Sequence, residues 1–149
     1  MIRYEIVTRI RRPAAEVFDF AVTRQAENHP RWEPEVIEIR RDGPPAVGAS
    51  GVMVRRDFGR VSELPLEILE LVPDRLIRFV TDSPGIRFDI TFEMVPVGGE
   101  TEFGVRVEIT VRGALRLLRP LLALMFRKNS ARIVRRFTDL LHEPTAAVA

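Results

Sequence analysis

The chain predicts an α+β fold in which an antiparallel sheet packs against one long C-terminal helix. Three observations carry this reading. Ile86 to Val111 holds two regular apolar/polar alternations joined by Gly98-Gly99, the pattern of a β-hairpin. Much of the chain before it also alternates with a period of two, in short runs separated by Pro, Gly and Asp. From Gly113 to Glu143 the period changes: Leu115, Leu122, Phe126, Ile133, Phe137 and Leu140 fall within about 60° of one another on a helical wheel. A long amphipathic helix in a strand-rich chain needs a sheet to lie on.

Taken in order, Ile2 to Ile10 is a half-buried strand with Ile2, Tyr4, Ile6 and Ile10 on one face and Arg3, Glu5 and Arg9 on the other. Pro13 suits a first helical position, and Ala14 to Ala21 makes two helical turns. A second short helix or turn covers Arg24 to Asn28, and His29-Pro30 is expected to break it, because the residue before proline avoids helical backbone. Strands follow at about Glu35 to Arg41 and Gly51 to Asp57, the second closed by a turn at Phe58-Gly59-Arg60. Val61 to Val72 is a strand whose Pro65 belongs at an edge, a bulge or a bend. Leu76 to Thr81 is next, between turns at Pro73-Asp74 and Ser83-Pro84-Gly85.

The Gly98-Gly99 turn sets a register that pairs Phe92 with Val105, Ile90 with Val107 and Phe88 with Ile109. It also sets Asp89 opposite Glu108, a repulsion that diagonal Arg87 and Arg106 would offset. In the C-terminal stretch Pro120 would cost about 3 kcal/mol inside a helix but is tolerated in a first turn. The long helix is therefore expected to start near Pro120, with Ala114 to Leu118 a separate turn. Pro144 to Ala149 reads as a frayed tail.

The 149 residues are the length of one domain, and 46% apolar with 30% charged residues is a globular composition. Cysteine is absent, which excludes a disulfide framework, a thiolate metal site and a cysteine nucleophile. No apolar run approaches the roughly 18 residues of a membrane span, and Arg3 and Glu5 precede any apolar core. The reading expects no transmembrane segment, no secretory signal and a cytoplasmic location. Net charge is +2, and acids sit between the arginines along most of the chain, so the surface reads as balanced and not as a nucleic-acid interface.

The order of strand, two short helices, six strands and one long helix resembles the START-like, or SRPBCC, superfamily, and within it the polyketide cyclase/dehydrase-like group. The residues that carry the resemblance are Ile10-Arg11-Arg12-Pro13-Ala14-Ala15-Glu16-Val17-Phe18 and Asn28-His29-Pro30-Arg31-Trp32-Glu33-Pro34-Glu35-Val36. Val47-Gly48-Ala49 and the helix ending Phe137-Thr138-Asp139-Leu140-Leu141-His142-Glu143 also fit, and the likeness spans the whole chain. It implies a helix-grip fold: a seven-stranded curved antiparallel sheet wrapped around the C-terminal helix, leaving a cavity for an apolar molecule. Such folds host carriers, receptors, aromatase/cyclases and chaperone regulators, so shape alone does not select a function.

The inward strand residues and the helix stripe are then the expected pocket walls, or else plain core. The large ones are Trp32, Phe79, Phe88, Phe92, Phe103, Met125 and Phe126, with Ile133 beside them. Trp32, the single tryptophan, is placed near the mouth that the resemblance implies. Asn129 and Ser130 lie beside the stripe as groups that orient a ligand or belong to an internal network. His29, Glu67 and Arg78 are further polar candidates, each with a bland alternative as a solvent-facing side chain.

No nucleophile elbow, phosphate-binding glycine loop or His pair at metal spacing occurs, so neither metal nor cofactor is expected. The leading expectation is carriage of a small hydrophobic or amphipathic ligand. An inward His or carboxylate in the cavity would favour a cyclase, dehydratase or aromatase instead, and a filled interior an interaction module. Leu117, Leu121 and Leu124, with Arg116, Arg119, Arg127 and Lys128 nearby, form a candidate homodimer, partner or membrane-surface patch.

Overall fold

The computed structural model describes residues 1–57 and 59–143. Phe58 of the expected turn and the expected tail from Pro144 lie outside the described residues. Seven strands form one antiparallel sheet in the order β1-β7-β6-β5-β4-β3-β2. They are β1 (Ile2–Ile10), β2 (Val36–Arg41), β3 (Ser50–Asp57), β4 (Arg60–Val72), β5 (Leu76–Asp82), β6 (Ile86–Val97) and β7 (Glu100–Val111). Strands β2 to β7 form a continuous meander. Between β1 and β2 the chain runs through α1 (Ala14–Phe18), a π-helical turn (Asp19–Thr23) and α2 (Gln25–Trp32). A 3₁₀ turn (Gly113–Leu118) leads into α3 (Arg119–His142), which places Pro120 in the first turn as its chemistry requires.

The β6–β7 register is the one the Gly-Gly turn dictates: Phe92 opposite Val105, Ile90 opposite Val107, Phe88 opposite Ile109. The pairing continues across the sheet, so Tyr4, Val107, Ile90, Phe79 and Ile68 form one row on the face toward α3. On the other face Asp89 does oppose Glu108. The compensation comes from flanking strands and not from the expected diagonals: Arg78 of β5 holds Asp89 at 2.7 Å, and Arg3 of β1 lies 3.5 Å from Glu108. Arg87 pairs with Asp82, and Arg106 with Glu5 and Glu93.

Two irregularities curve the sheet, one in β2 between Val36 and Glu38 and one in β4 between Ile68 and Glu70. Pro65 sits in β4 opposite Val52, but pairing with β5 begins only at Leu66. The first half of β4 is thus an edge, where a residue lacking an N–H removes no ladder bond on that side.

The expected break at His29-Pro30 does not occur, and α2 continues through Pro30 to Trp32. The proline falls near the end of the helix, where it removes a single backbone bond. Opposing its cost of about 3 kcal/mol are the burial of Trp32 and a hydrogen-bond network around His29.

Both halves of α3 are tied to β1 or to the residue just after it. Arg11 N–H donates to His142 Nε2 at 3.0 Å near the C-terminal end, and the Tyr4 hydroxyl meets the helix at Phe126 and Ser130.

Candidate functional site

Between α3 and the concave face of the sheet lies a cavity of about 640 Å³. Its existence follows from what α3 presents inward. Phe137 and Val134 are buried and fill the C-terminal half. Toward the N-terminal half Ser130 and the half-buried Leu122, Phe126 and Ile133 line the space without filling it.

One wall is aromatic and continuous. His29 stacks on Trp32 with ring centres 4.8 Å apart, and Trp32 meets Phe137 edge-on at 4.9 Å. Phe137 stacks on Phe103 at 4.7 Å, Phe103 packs on Phe92 at 5.5 Å, and Phe92 on Phe79 at 5.4 Å. Phe88 and Phe126 form a separate edge-on pair at 5.3 Å near the N-terminal half of α3. All seven large residues expected as walls therefore border the cavity, Met125 included, as do Ile133, Asn129, Ser130 and His29. Trp32 is only 1% exposed, so it is a buried wall and not the mouth residue that was expected.

Two polar candidates point away. Glu67 is exposed between buried Leu66 and Ile68, because strand alternation turns it to the outer face. Arg78 lies on the outer face as well, bidentate to Asp89 at 3.0 and 2.7 Å. Neither borders the cavity.

His29, by contrast, is buried, and it begins a chain of polar contacts that ends at Asp57. Gln25 Nε2 lies 3.4 Å from His29 Nδ1, and His29 Nε2 lies 2.9 Å from Glu33 Oε1. Arg55 Nη1 donates to Glu33 Oε2 at 2.8 Å, and its Nε and Nη2 donate to Asp57. Burial alone would raise the Glu33 carboxyl, but the hydrogen bond and charge of His29, then those of Arg55, pull it down to about 2. Burial would likewise weaken the Arg55 cation, and Glu33 and Asp57 more than reverse this, holding it above the usual arginine range. Glu33, Arg55 and Asp57 all border the cavity and give it an ion-paired polar end.

A second polar group, Tyr4 with Ser130, borders the same cavity. Tyr4 O–H donates to the Phe126 carbonyl at 3.1 Å, which leaves Ser130 Oγ, 2.6 Å away, to donate to the Tyr4 oxygen. Burial raises the Tyr4 phenol, and the Ser130 contact offsets only part of the rise. Asn129 Oδ1 is taken by Arg132 at 2.6 Å, so the amide of Asn129 is partly committed to the helix surface.

Glu33, Arg55 and Tyr4 are the site residues that sequence reasoning missed. Glu33 stands one helical turn after His29, an i,i+4 pair concealed by the helix break expected at Pro30. Arg55 was hidden because Val52, Met53 and Val54 are all apolar, which blurs the strand phase. The signal for Tyr4 was available: it is the single tyrosine, in the inward phase of β1.

The chain belongs to the polyketide cyclase / dehydrase and lipid transport family, whose model matches residues 1–142. No curated protein matches it. Among solved structures it is similar to a START superfamily protein from Mycobacterium smegmatis, with 12% identity over 95% of this chain and 97% of that one, at a TM-score of 0.74. Ara h 8.0201 is similar with 14% identity over 93% and 96% of the two chains, at a TM-score of 0.73. Norcoclaurine synthase from Thalictrum flavum, solved with dopamine and hydroxybenzaldehyde, has 14% identity over 95% and 87%, at a TM-score of 0.68. At these identities the likeness is one of fold: a seven-stranded antiparallel sheet gripping a long C-terminal helix. The family makes the binding of a hydrophobic ligand its general theme. Among the described residues no helix is long and apolar enough to cross a membrane, and no group of His, Asp and Glu has the geometry of a metal site.

Proposed function

We propose that the protein binds and carries a small amphipathic molecule in the cavity between its sheet and α3. The observation that supports this reading is an unfilled space of about 640 Å³ with an aromatic wall and an ionised end. Removing the apolar body of a ligand from water contributes roughly 25 cal/mol per Å². The Glu33–Arg55–Asp57 end orients a polar head, with Arg55 as the donor and the two carboxylates as acceptors. The Tyr4–Ser130 pair offers a second polar contact, from the helix side.

One observation favours a second reading, an enzyme of cyclase, dehydratase or aromatase type: His29 and Glu33 both stand in the cavity wall. Their pairing argues for the binding reading instead. Both ring nitrogens of His29 and both oxygens of Glu33 already have partners. A carboxyl held at about 2 is a weak base, whereas a general base works best with a pKa near the working pH.

Trp32 borders the cavity, so its emission reports occupancy. Titration with fatty acids and with aromatic polyketide-like phenols should give a saturable shift in Trp32 emission, weakened in Arg55→Met when the ligand head is anionic. A flat response across a broad set of both ligand classes would remove this proposal. Turnover of such a phenol precursor, abolished in both His29→Phe and Glu33→Gln, would move the assignment to the enzyme.

A further inference from the structure

The outer face of α3 is built differently from the rest of the surface. Leu117, Leu121 and Leu124 are 85%, 63% and 65% exposed, and Met125 beside them is 43% exposed. On the helical wheel Leu121 and Leu124 fall on the face away from the sheet, and the same stripe continues C-terminally as Lys128 and Arg135. From Gly113 to Thr138 the chain holds no acidic residue at all. Elsewhere the cations are largely paired, as Arg78 is with Asp89 and Arg106 with Glu93. Among the described residues Arg116, Arg119, Arg127, Lys128 and Arg135 meet no acid within ion-pair distance, and Arg132 alone of this outer row reaches one, Glu35.

The apolar end is also held firmly. Gly113, with φ of +63°, turns the chain out of β7, and Arg112 N–H donates to the Gly85 carbonyl at 2.9 Å. Leu115 packs so closely over Gly85 that a side-chain carbon there would lie 2.8 Å from its Cδ1. The leucines are therefore presented on a fixed platform and pay little ordering entropy on contact.

From this we infer that the N-terminal half of α3, with the 3₁₀ turn before it, is a docking face for an anionic lipid bilayer. Exposed leucines enter the headgroup boundary while the unpaired cations around and behind them meet lipid phosphates. The charge selects this occupant. A two-fold contact between copies would set the same cations against each other, and a nucleic acid would satisfy the cations while leaving the leucines unburied. The face lies on the membrane and does not span it, consistent with the absence of a spanning helix among the described residues. Met125 belongs both to this face and to the cavity wall, so the two surfaces are contiguous. The inference does not depend on which molecule the cavity holds.

Sedimentation of the full chain with vesicles tests it directly, using phosphatidylcholine alone and phosphatidylcholine mixed with phosphatidylglycerol. Each cation near an anionic surface contributes enough that the mixed vesicles should bind about tenfold or more tightly, with the excess lost at high salt. Leu121→Glu with Leu124→Glu changes only exposed positions, so the thermal midpoint should stay that of the parent while binding to mixed vesicles collapses. Arg127→Glu with Lys128→Glu should remove the preference for phosphatidylglycerol. Equal binding to both vesicle types, or none to either, would overturn the inference. So would a leucine variant that binds like the parent, self-association abolished by that variant without vesicle binding, or binding to nucleic acid alone.

Discussion

At the scale of single residues, the Gln25–His29–Glu33–Arg55–Asp57 chain gives the cavity its polar character, and Glu33 is its centre. A carboxyl lowered from 4.5 to about 2 binds its proton less tightly in the folded than in the unfolded state. The stability this confers is complete above pH 4.5 and is lost as pH falls toward about 2. Glu33→Gln should therefore be destabilised relative to the parent at neutral pH, with the gap closing across that acid window in urea unfolding curves. A gap that persists unchanged at the acid end would assign the loss to packing instead of charge. Tyr4→Phe removes the phenol hydroxyl that meets Ser130 and the Phe126 carbonyl. It should cost about 1 kcal/mol in the same assay, and a Tyr4→Phe, Ser130→Ala double variant should lose less than the sum of the singles.

Among the elements, β6–β7 and α3 were legible because each obeys a single rule. The Gly-Gly turn fixed the hairpin register, and Pro120 marked the start of the helix. Elements under conflicting rules were not. His29-Pro30 signals a break by local chemistry, yet burial of Trp32 and the His29–Glu33 pair carry α2 through it. Misplacing that boundary hid Glu33 from view. The two halves of α3 also differ in a measurable way. Phe137 is buried among Phe20, Trp32 and Phe103, so Phe137→Ala should cost about 3–5 kcal/mol. Phe126 borders the cavity and is only half-buried, so Phe126→Ala should cost clearly less in thermal or urea unfolding. Equal losses would mean that the N-terminal half of α3 is packed core.

For the whole molecule, periodicity shows which residues face inward but not whether they meet. The same Phe79, Phe88, Phe92 and Phe103 serve a solid core or a cavity wall. What separates the two is whether the side chains α3 presents inward, Phe126, Ser130 and Ile133 among them, fill the space left by a sheet whose curvature depends on two bulges. That is a property of assembled volume, which no local pattern encodes. The central claim is that this volume is a ligand site. Native mass spectrometry of the protein purified from its own host tests it most directly. The account predicts the polypeptide mass plus a non-covalent small-molecule adduct, released on gentle activation and reduced when Ser130→Trp fills the cavity from α3. Recovery of the bare polypeptide mass alone, both from the host and after incubation with amphipathic ligands, would contradict it.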